Sequence, residues 1–270
     1  MSSNLIKRVL TALVAGPLII GLALWDNSIG WKIFIIMAAL LAMMEYANIV
    51  FDTDEIYVKV LTVNAGGLFS ILLLSTIKFF RYSLMLFPWV VILVLSSLVF
   101  FPGKIEKAAH NAARALMGIF AVAMLLTFLG LIKIFPQGGK WIIFTLTLVW
   151  FNDTLAYFVG KAFGKHKFSP LISPNKTWEG ALGGILGSLL AGYLATFYIK
   201  GSFLVTMLIL AAFAGIMGQL GDLSESMLKR SFKIKDSGNI IPGHGGILDR
   251  IDALLFASPV VFCYLWFTHF

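Results

Sequence analysis

Residues 201–221 read GSFLVTMLILAAFAGIMGQLG, a stretch without a single charged side chain. A helix of roughly 20 mostly apolar residues is long enough to cross the hydrocarbon core of a bilayer. The polar stretch KDSGNIIPGHGGILDRID follows at 235–252, and beyond it the chain is apolar to its end. Such alternation of long apolar runs with short polar segments predicts a protein that crosses a membrane several times.

Apolar runs of this length recur along the whole chain. Hydrophobic residues make up 59% of the 270 residues and charged residues 13%, against roughly 25% charged residues in soluble domains. Six runs carry no charge, namely residues 9–25, 60–77, 82–103, 115–132, 180–199 and 201–221. Three more reach bilayer length if an acidic residue is admitted, namely residues 33–51, 141–160 and 247–268. We therefore predict an all-α polytopic integral membrane protein with nine transmembrane helices, the first of them uncleaved.

The distribution of basic residues predicts the orientation of these helices. With nine helices, fifteen of the 21 Lys and Arg residues fall on the side of the N-terminus, and basic loop residues favour the cytoplasm. The N-terminus is therefore predicted to be cytoplasmic. We expect residues 1–135 to form a scaffold of helices 1–5 with dimer contacts, and residues 136–270 to hold helices 6–9 with cytoplasmic catalytic loops. The single cysteine, Cys263, excludes an intramolecular disulfide.

The polar stretch at 235–252 and the residues just before it combine acids, bases and glycines. Asp249 and Asp252 are three residues apart and therefore share a helix face. The residues that contribute to this combination are Asp222, Ser226, Lys229, Arg230, Lys235, Gly243, His244, Gly245, Gly246, Asp249 and Asp252. Glycines just before a helix let backbone N–H groups converge on an anion. The stretch is therefore typical of a phosphate-binding site.

The carboxylates in this stretch suggest a bound cation. Carboxylate oxygens suit Mg²⁺, which proteins often bind together with substrate phosphates, while lysine and arginine bind the phosphates themselves. The alternative for the basic residues is attraction to anionic lipid headgroups. A carboxylate inside a membrane helix indicates function by default, although near a helix end, as for Glu45 and Asp249, a solvated terminus is an equal alternative.

A second polar stretch, WFNDTLAYFVGKAFGKHKFSPLISPNKTWEGALGG, occupies residues 150–184. Asn152 and Asp153 interrupt the apolar run at 141–160, which is the sixth in chain order. A basic loop around Lys167 follows. Asn175 or Thr177 can cap the next helix. Lys176 stands beside the positive end of that helix, where a cation is unfavourable unless an anion is bound, so Lys176 is a candidate phosphate ligand. Glu179 lies in the first turn of the helix, where the helix dipole alone would favour a carboxylate. The glycines after it favour close helix packing, and neither a Walker loop nor a zinc spacing occurs.

The run SMLKRSFKIKDSGNIIPGHGGILDRID at 226–252 resembles the signature of the phosphatidate cytidylyltransferases, or CDP-diacylglycerol synthases. The matching positions are Ser226, Lys229, Arg230, Lys235, Asp236, His244, Gly245, Gly246, Asp249, Arg250 and Asp252. The run NDTLAYFVGKAFGKHKFSPLISPNKTWEG at 152–180 is similar to a second segment of the same family. Together they cover the C-terminal half, and the rest resembles the family only in its apolar helices.

This resemblance implies an enzyme of the plasma (inner) membrane that joins CTP to phosphatidic acid, releasing pyrophosphate, with its site facing the cytoplasm. It implies Mg²⁺, with room for a second cation, a homodimer in the bilayer and no nucleic-acid partner. Asp222 and Asp249 are the expected metal ligands, with Asp153 and Asp252 as weaker candidates. The expected phosphate-binding residues are Lys176, Lys229, Arg230, Lys235 and Arg250. His244 and its glycines would cradle the triphosphate, and Asp236, Asn152, Asp153, Lys167, Ser226 and Glu179 complete the expected catalytic and substrate-binding set.

Three other functions fit part of the sequence. A CTP-dependent polyprenol kinase would use the same nucleotide but release CDP rather than pyrophosphate. An anionic-substrate transporter also carries acids within its helices, although the chain shows no internal repeat and its acids cluster at one face. A non-catalytic lipid-binding scaffold leaves the paired aspartates unexplained.

Overall fold

The computed structural model describes residues 3–75, 77–100, 104–240 and 245–269, and it is a bundle of helices joined by short connections. The N-terminal helices are α1 (Ser3–Leu24), α2 (Ser28–Val50), α3 (Ile56–Ser75), α4 (Ile77–Phe100), α5 (Ile105–Gly118) and α6 (Leu125–Leu131). A π-helical turn, Ile119–Met124, joins α5 to α6 without a break, and a 3₁₀ turn, Ile132–Ile134, follows. The C-terminal helices are α7 (Gly138–Phe163), α8 (Trp178–Ala195), α9 (Leu204–Ser231) and α10 (Leu248–His269).

Six helical segments among the described residues are long and apolar enough to cross a membrane. They are Ser28–Val50, Ile56–Ser75, Ile105–Ile134, Gly138–Phe163, Leu204–Ser231 and Leu248–His269. Two shorter apolar helical stretches, Leu13–Leu24 and Phe87–Phe100, accompany them. The prediction of a predominantly helical membrane protein is thereby confirmed, while the count of nine transmembrane helices and their orientation remain predictions.

A short β-hairpin interrupts the helices between α7 and α8. Strand β1 (Lys167–Ser169) pairs antiparallel with β2 (Ser173–Thr177), and the register places Lys167 opposite Thr177. The Phe168 ring packs edge-on against Trp178, with ring centroids 4.3 Å apart. The sequence predicted a basic loop here, because the three residues of β1 are too few to show an alternating pattern.

Close packing of α8 against its neighbours organises the C-terminal half. The α7–α8 pair makes the most extensive contact, followed by α9–α10 and α8–α9. A Cβ atom on Gly183 would lie 2.6 Å from Val159 Cβ, and one on Gly187 would strike the carbonyl group of Phe151. The glycines of α8 therefore let α7 approach closely, as the sequence predicted.

Helix α10 connects the two halves of the chain. It packs against α9 and α7 on one side and against α6 on the other. Ser258 Oγ on α10 donates a hydrogen bond of 3.2 Å to the Leu125 carbonyl on α6. Large buried side chains such as Trp31, Phe144 and Phe262 fill the interior of the bundle. The start of α10 consequently meets the end of α2, and this junction is part of the candidate site.

Candidate active site

A cavity of about 520 Å³ opens between α7, α9 and the hairpin. Its polar wall combines carboxylates and cations with an aromatic ring. These side chains are Asp153, Tyr157, Lys161, Lys176, Gln219 and Asp222. The volume lies within the range of roughly 300–1,000 Å³ that is usual for ligand pockets. The structure thus brings the polar stretch at 150–184 against the end of α9. The other polar stretch, which leads to residues 235–252, begins at this end of α9.

An ion pair crosses this cavity wall. Lys176 Nζ, on β2, lies 2.5 Å from Asp222 Oδ2, on α9, and about a third of each side chain is exposed (31%). Thr177, the residue after Lys176, caps α8, since its Oγ1 accepts a hydrogen bond of 3.1 Å from Gly180 N. Lys176 is therefore held beside the positive end of α8, where a bound anion is favoured.

Further carboxyl groups surround Asp222. Asp252 on α10 interacts electrostatically with Asp222, Glu225 and Asp153, and Asp153 interacts in turn with Lys176 and Arg250. Asp153 is exposed to the cavity although it lies within α7. Three helices thus bring acids to one place, and this proximity is the central feature of the site.

A second ion-pair network lies deeper, beside the start of α10. Lys229 Nζ lies 2.6 Å from Glu225 Oε2 and donates a hydrogen bond of 2.7 Å to Asp249 Oδ1. Glu225 is buried, and its Oε1 has no hydrogen-bond partner among the described residues. A buried carboxylate with an unpaired oxygen is costly unless a donor or a cation compensates it.

The donor chemistry of the site fits a hard divalent cation. Five carboxyl groups, those of Asp153, Asp222, Glu225, Asp249 and Asp252, face three basic side chains, those of Lys176, Lys229 and Arg250. The cluster therefore has more acids than bases, and its oxygen donors are of the type that Mg²⁺ prefers. Within the described residues, no three His, Cys, Asp or Glu side chains converge as a ready set of metal ligands. Three of the oxygens, Asp222 Oδ2, Glu225 Oε2 and Asp249 Oδ1, contact lysine instead.

Asp249 and Glu45 organise the segment that leads into α10. Asp249 accepts hydrogen bonds from Ser237 N at 3.0 and 3.2 Å and from Gly246 N at 2.9 Å. Gly245 has φ of +83°, a conformation that favours glycine. Glu45, from α2, accepts hydrogen bonds from Ile247 N at 2.9 Å and Leu248 N at 2.8 Å. Gly243 and His244 lie outside the described residues, so their predicted role remains a prediction.

Asn152 belongs to the packing of the helices around the cavity. Its Nδ2 donates to Ser188 Oγ at 2.8 Å and to the Gly215 carbonyl at 3.3 Å, while its Oδ1 accepts from Gln219 Nε2 at 3.1 Å. Asn152 is buried and links α7, α8 and α9. Asn152 and Gln219 both line the cavity, and the predicted contact of Asn152 with substrate stays a prediction.

Glu179 fastens the end of α7 to the start of α8. It accepts hydrogen bonds from the backbone N–H groups of Lys165 and His166 at 3.1 and 3.2 Å, and His166 Nδ1 lies 2.6 Å from its Oε1. Hydrogen bonds to its own backbone N–H, to the His166 ring and to these amides lower the pKa of Glu179 to about 2. The structure thus gives Glu179 a clear role in fixing the connection, while its predicted contact with substrate stays a prediction.

Two further predicted residues, Arg230 and Ser226, make hydrogen bonds at the end of α9. Arg230 donates to the carbonyl groups of Ile172, in the hairpin, and Ile234 at 3.4 and 2.9 Å, which connects the hairpin to the end of α9. Ser226 Oγ donates to Asp222 Oδ1 at 3.5 Å. The other predicted side chains, Lys167, Lys235, Asp236 and Arg250, are exposed.

Comparison with known proteins shows the family of the chain. The profile of the cytidylyltransferase family matches residues 6–268, which is nearly the whole chain. The chain belongs to this family. Proteins called phosphatidate cytidylyltransferase in Staphylococcus haemolyticus and Staphylococcus aureus are 34% and 35% identical to it, and each match covers 94% of this chain and 96% of the relative. One from Staphylococcus saprophyticus is 43% identical over 152 residues, which is 56% of this chain and 58% of that relative.

Two acids of the candidate site, Glu225 and Glu45, are missing from the site residues predicted by sequence. Glu225 follows Asp222 by three residues and therefore shares its helix face, so the spacing carried a usable signal. Glu45 was visible as a single acid in an apolar run, but nothing nearby in sequence shows its partner, because Ser237 is 192 positions away.

Proposed function

We infer that the protein is a phosphatidate cytidylyltransferase, which converts CTP and phosphatidic acid to CDP-diacylglycerol and pyrophosphate. Membership of the cytidylyltransferase family and two relatives of that name along 94% of the chain support this function. The structural observation that carries it is the cavity in which Lys176 and Lys161 stand beside Asp153 and Asp222. Both substrates are polyanions, and such a wall suits phosphates that are bound with a cation.

The proposed reaction is a single displacement at phosphorus. A phosphate oxygen of phosphatidic acid forms a bond to the α-phosphorus of CTP, the bond from that phosphorus to the bridging oxygen of the β-phosphate breaks, and pyrophosphate leaves with the electron pair. Phosphoryl-type transfer asks the protein mainly to position its substrates and to neutralise charge. The protein therefore needs no nucleophile of its own.

Each group of site residues has a proposed part in this reaction. Lys176, with Lys161 at the same wall, binds phosphate oxygens and orients them toward the acids. Asp222 and Asp249, supported by Asp153 and Asp252, would hold Mg²⁺, which when bound supplies neutralisation of phosphate charge. Lys229 stabilises the buried Glu225 carboxylate and the partly buried Asp249 carboxylate through its contacts with both.

The membrane arrangement is also proposed. Nine transmembrane helices place the ends of α2, α7 and α9 and the starts of α8 and α10 at one membrane face. The excess of basic residues in the loops on that side supports the cytoplasmic face of the plasma membrane, where CTP is available. A homodimer remains part of the proposal because of the resemblance to the family.

Radiolabelled substrate tests the function directly. The purified protein in detergent is incubated with α-³²P-CTP, phosphatidic acid and Mg²⁺, with and without EDTA, and label in the chloroform phase is compared with pyrophosphate release. Equal amounts of labelled lipid and pyrophosphate, both lost with EDTA, are expected. Lipid labelled from γ-³²P-CTP with polyprenol as acceptor would instead establish the kinase. A protein that transfers neither label would refute both enzymatic functions.

A further inference from the structure

The segment before α10 is held at its ends by a side chain from the N-terminal half of the molecule. Glu45, near the end of α2, accepts hydrogen bonds from Ile247 N and Leu248 N at 2.9 and 2.8 Å. Ser237 Oγ, at the other end of the segment, donates to Glu45 Oε2 at 3.0 Å. Only 3% of Glu45 is exposed, and a buried carboxylate requires such donors. It also caps α10, whose first N–H groups have no partner within the helix.

Asp249 holds the same two ends through their backbone N–H groups. It accepts hydrogen bonds from Ser237 N and Gly246 N, and it contacts Lys229 through Oδ1. Ser237 therefore donates its hydroxyl group to Glu45 and its backbone N–H to Asp249. Glu45 and Asp249, which are far apart in sequence, thus both accept hydrogen bonds from the two ends of one segment. Asp249 is also a predicted site residue.

The Glu45 carboxylate fits against two glycines without spare room. A Cβ atom on Gly238 would lie 2.8 Å from Glu45 Oε1, and one on Gly246 would lie 2.5 Å from Oε2. Any side chain at these positions would have to displace the carboxylate or the backbone. The close fit leaves the Glu45 carboxylate little room against Gly238 and Gly246, and the N–H group of Gly246 in turn donates to Asp249.

We propose that Glu45 is a positioning residue for the cytidylyltransferase reaction, and that it ties Ser237 and the start of α10 to the end of α2. The proposal rests on the function inferred above. Glu45 acts through Ser237 and the start of α10 on Asp249 and Lys229, because all of these groups share one hydrogen-bond network. A displacement near 1 Å at a reacting centre can lower a rate roughly 100-fold. Loss of Glu45 should therefore lower kcat.

Glu45→Gln is the decisive variant, because it keeps the shape of the side chain but replaces one acceptor oxygen by an NH₂ group that faces donors. With the α-³²P-CTP assay, we expect kcat to fall about 10- to 100-fold, with the KM for CTP near the wild-type value. Glu55→Gln is the matched control, since Glu55 is also buried in the N-terminal half but accepts hydrogen bonds from Asp52 N and Asn111. Its kcat should stay at the wild-type value.

A second variant separates positioning from general destabilisation. Ser237→Ala removes only the hydroxyl donor and should lower kcat by less than Glu45→Gln does. The double variant should be no slower than Glu45→Gln alone, since both changes remove the same contact. A wild-type kcat in folded Glu45→Gln would overturn the proposal. If that variant does not fold, a wild-type kcat in Ser237→Ala would overturn it equally.

A nitroxide label reports the position of the segment without relying on activity. Asn239 is exposed, so the label can be attached to Asn239→Cys in a Cys263→Ser background, which has no other cysteine. We expect Glu45→Gln to narrow the lines of the electron paramagnetic resonance spectrum, because a less restrained segment lets the label move faster. Glu55→Gln should leave the spectrum unchanged. Identical spectra in all three proteins would refute the proposal. Absence of labelled lipid with the wild-type protein would refute the proposed function instead, and the spectra would still decide whether Glu45 holds the segment.

Discussion

Lys176 Nζ lies 2.5 Å from Asp222 Oδ2, and this contact joins the β-hairpin to α9 at the wall of the cavity. Lys176 belongs to the polar stretch at 150–184, and Asp222 belongs to the polar residues at the end of α9, so their contact joins the two polar parts of the sequence. A phosphate group that enters the cavity competes with Asp222 for the Lys176 ammonium group, and a cation competes with Lys176 for the carboxylate. Both partners of this pair are therefore informative positions for mutation.

Removing the charge of Lys176 should lower kcat/KM for CTP. A hydrogen bond to a charged group contributes roughly 1.5–3 kcal/mol, so we expect Lys176→Met to lower kcat/KM for CTP about 10- to 100-fold. Steady-state kinetics of lipid labelling measure the effect. Lys200→Met is the control, because Lys200 is exposed in the connection between α8 and α9, away from the cavity. Equal kcat/KM values for the two variants would contradict the role of Lys176.

The acids on α9 and α10 should be essential for turnover. Asp222→Asn and Asp249→Asn keep the side-chain shape but remove a negative charge from the cluster that we expect to bind Mg²⁺. We expect turnover to fall by at least ~100-fold in each, while both variants still elute as folded protein in detergent. Asp54→Asn provides the comparison, since Asp54 is exposed and pairs with the exposed Lys104. Substantial activity in both site variants would rule out the metal assignment.

The contact of Glu179 with the Lys165–His166 backbone should be lost only in strong acid. Hydrogen bonds hold the pKa of Glu179 at about 2, against an ordinary value of 4.5. A group with a lowered pKa stabilises the fold fully above its unfolded pKa and loses this effect as the pH falls toward its folded pKa. The protection factors of the Lys165 and His166 amides should thus be constant from pH 5 to pH 8 and decline from about pH 4.5 toward pH 2.

Glu179→Gln supplies the control for that experiment. Its amide protection in hydrogen exchange should already be low at neutral pH and should not change further in acid. A wild-type protein whose protection at these two amides does not decline below pH 4 would show that the carboxylate does not hold the connection.

The packing of α7 on α8 should not tolerate a methyl group at Gly187. Its Cβ would strike the backbone carbonyl of Phe151, and overpacking of this kind costs roughly 1–3 kcal/mol. We expect Gly187→Ala to lower the melting temperature in detergent. Gly21→Ala on α1 has no neighbour within 4 Å of the added atom and should melt at or slightly above the wild-type temperature, since alanine favours a helix. Equal melting temperatures would refute the close approach.

The helices were predictable from sequence because hydropathy is a local property. The apolar run at 33–51 corresponds to α2, Ser28–Val50, and the run at 141–160 to α7, Gly138–Phe163. The ends of each helix differ from the ends of the apolar run by up to several residues. The helical hydrogen bonds can extend into polar residues that flank the apolar part. The hairpin escaped prediction, since its stability comes from contacts with α8 such as that between Phe168 and Trp178.

The amino-acid sequence was enough to predict the class of the protein, the order of its helices and the two polar stretches that supply Lys176, Asp222, Lys229 and Asp249. These features depend on composition and on spacing along one helix, so nearby residues are enough to reveal them. The pairing of the charges became apparent only when the helices were seen together. The same holds for the hydrogen bonds between Glu45 and the two ends of the segment before α10. Pairing depends on distances between helices that are far apart in sequence, and a buried carboxylate selects its donors from whatever the packing brings within hydrogen-bond reach.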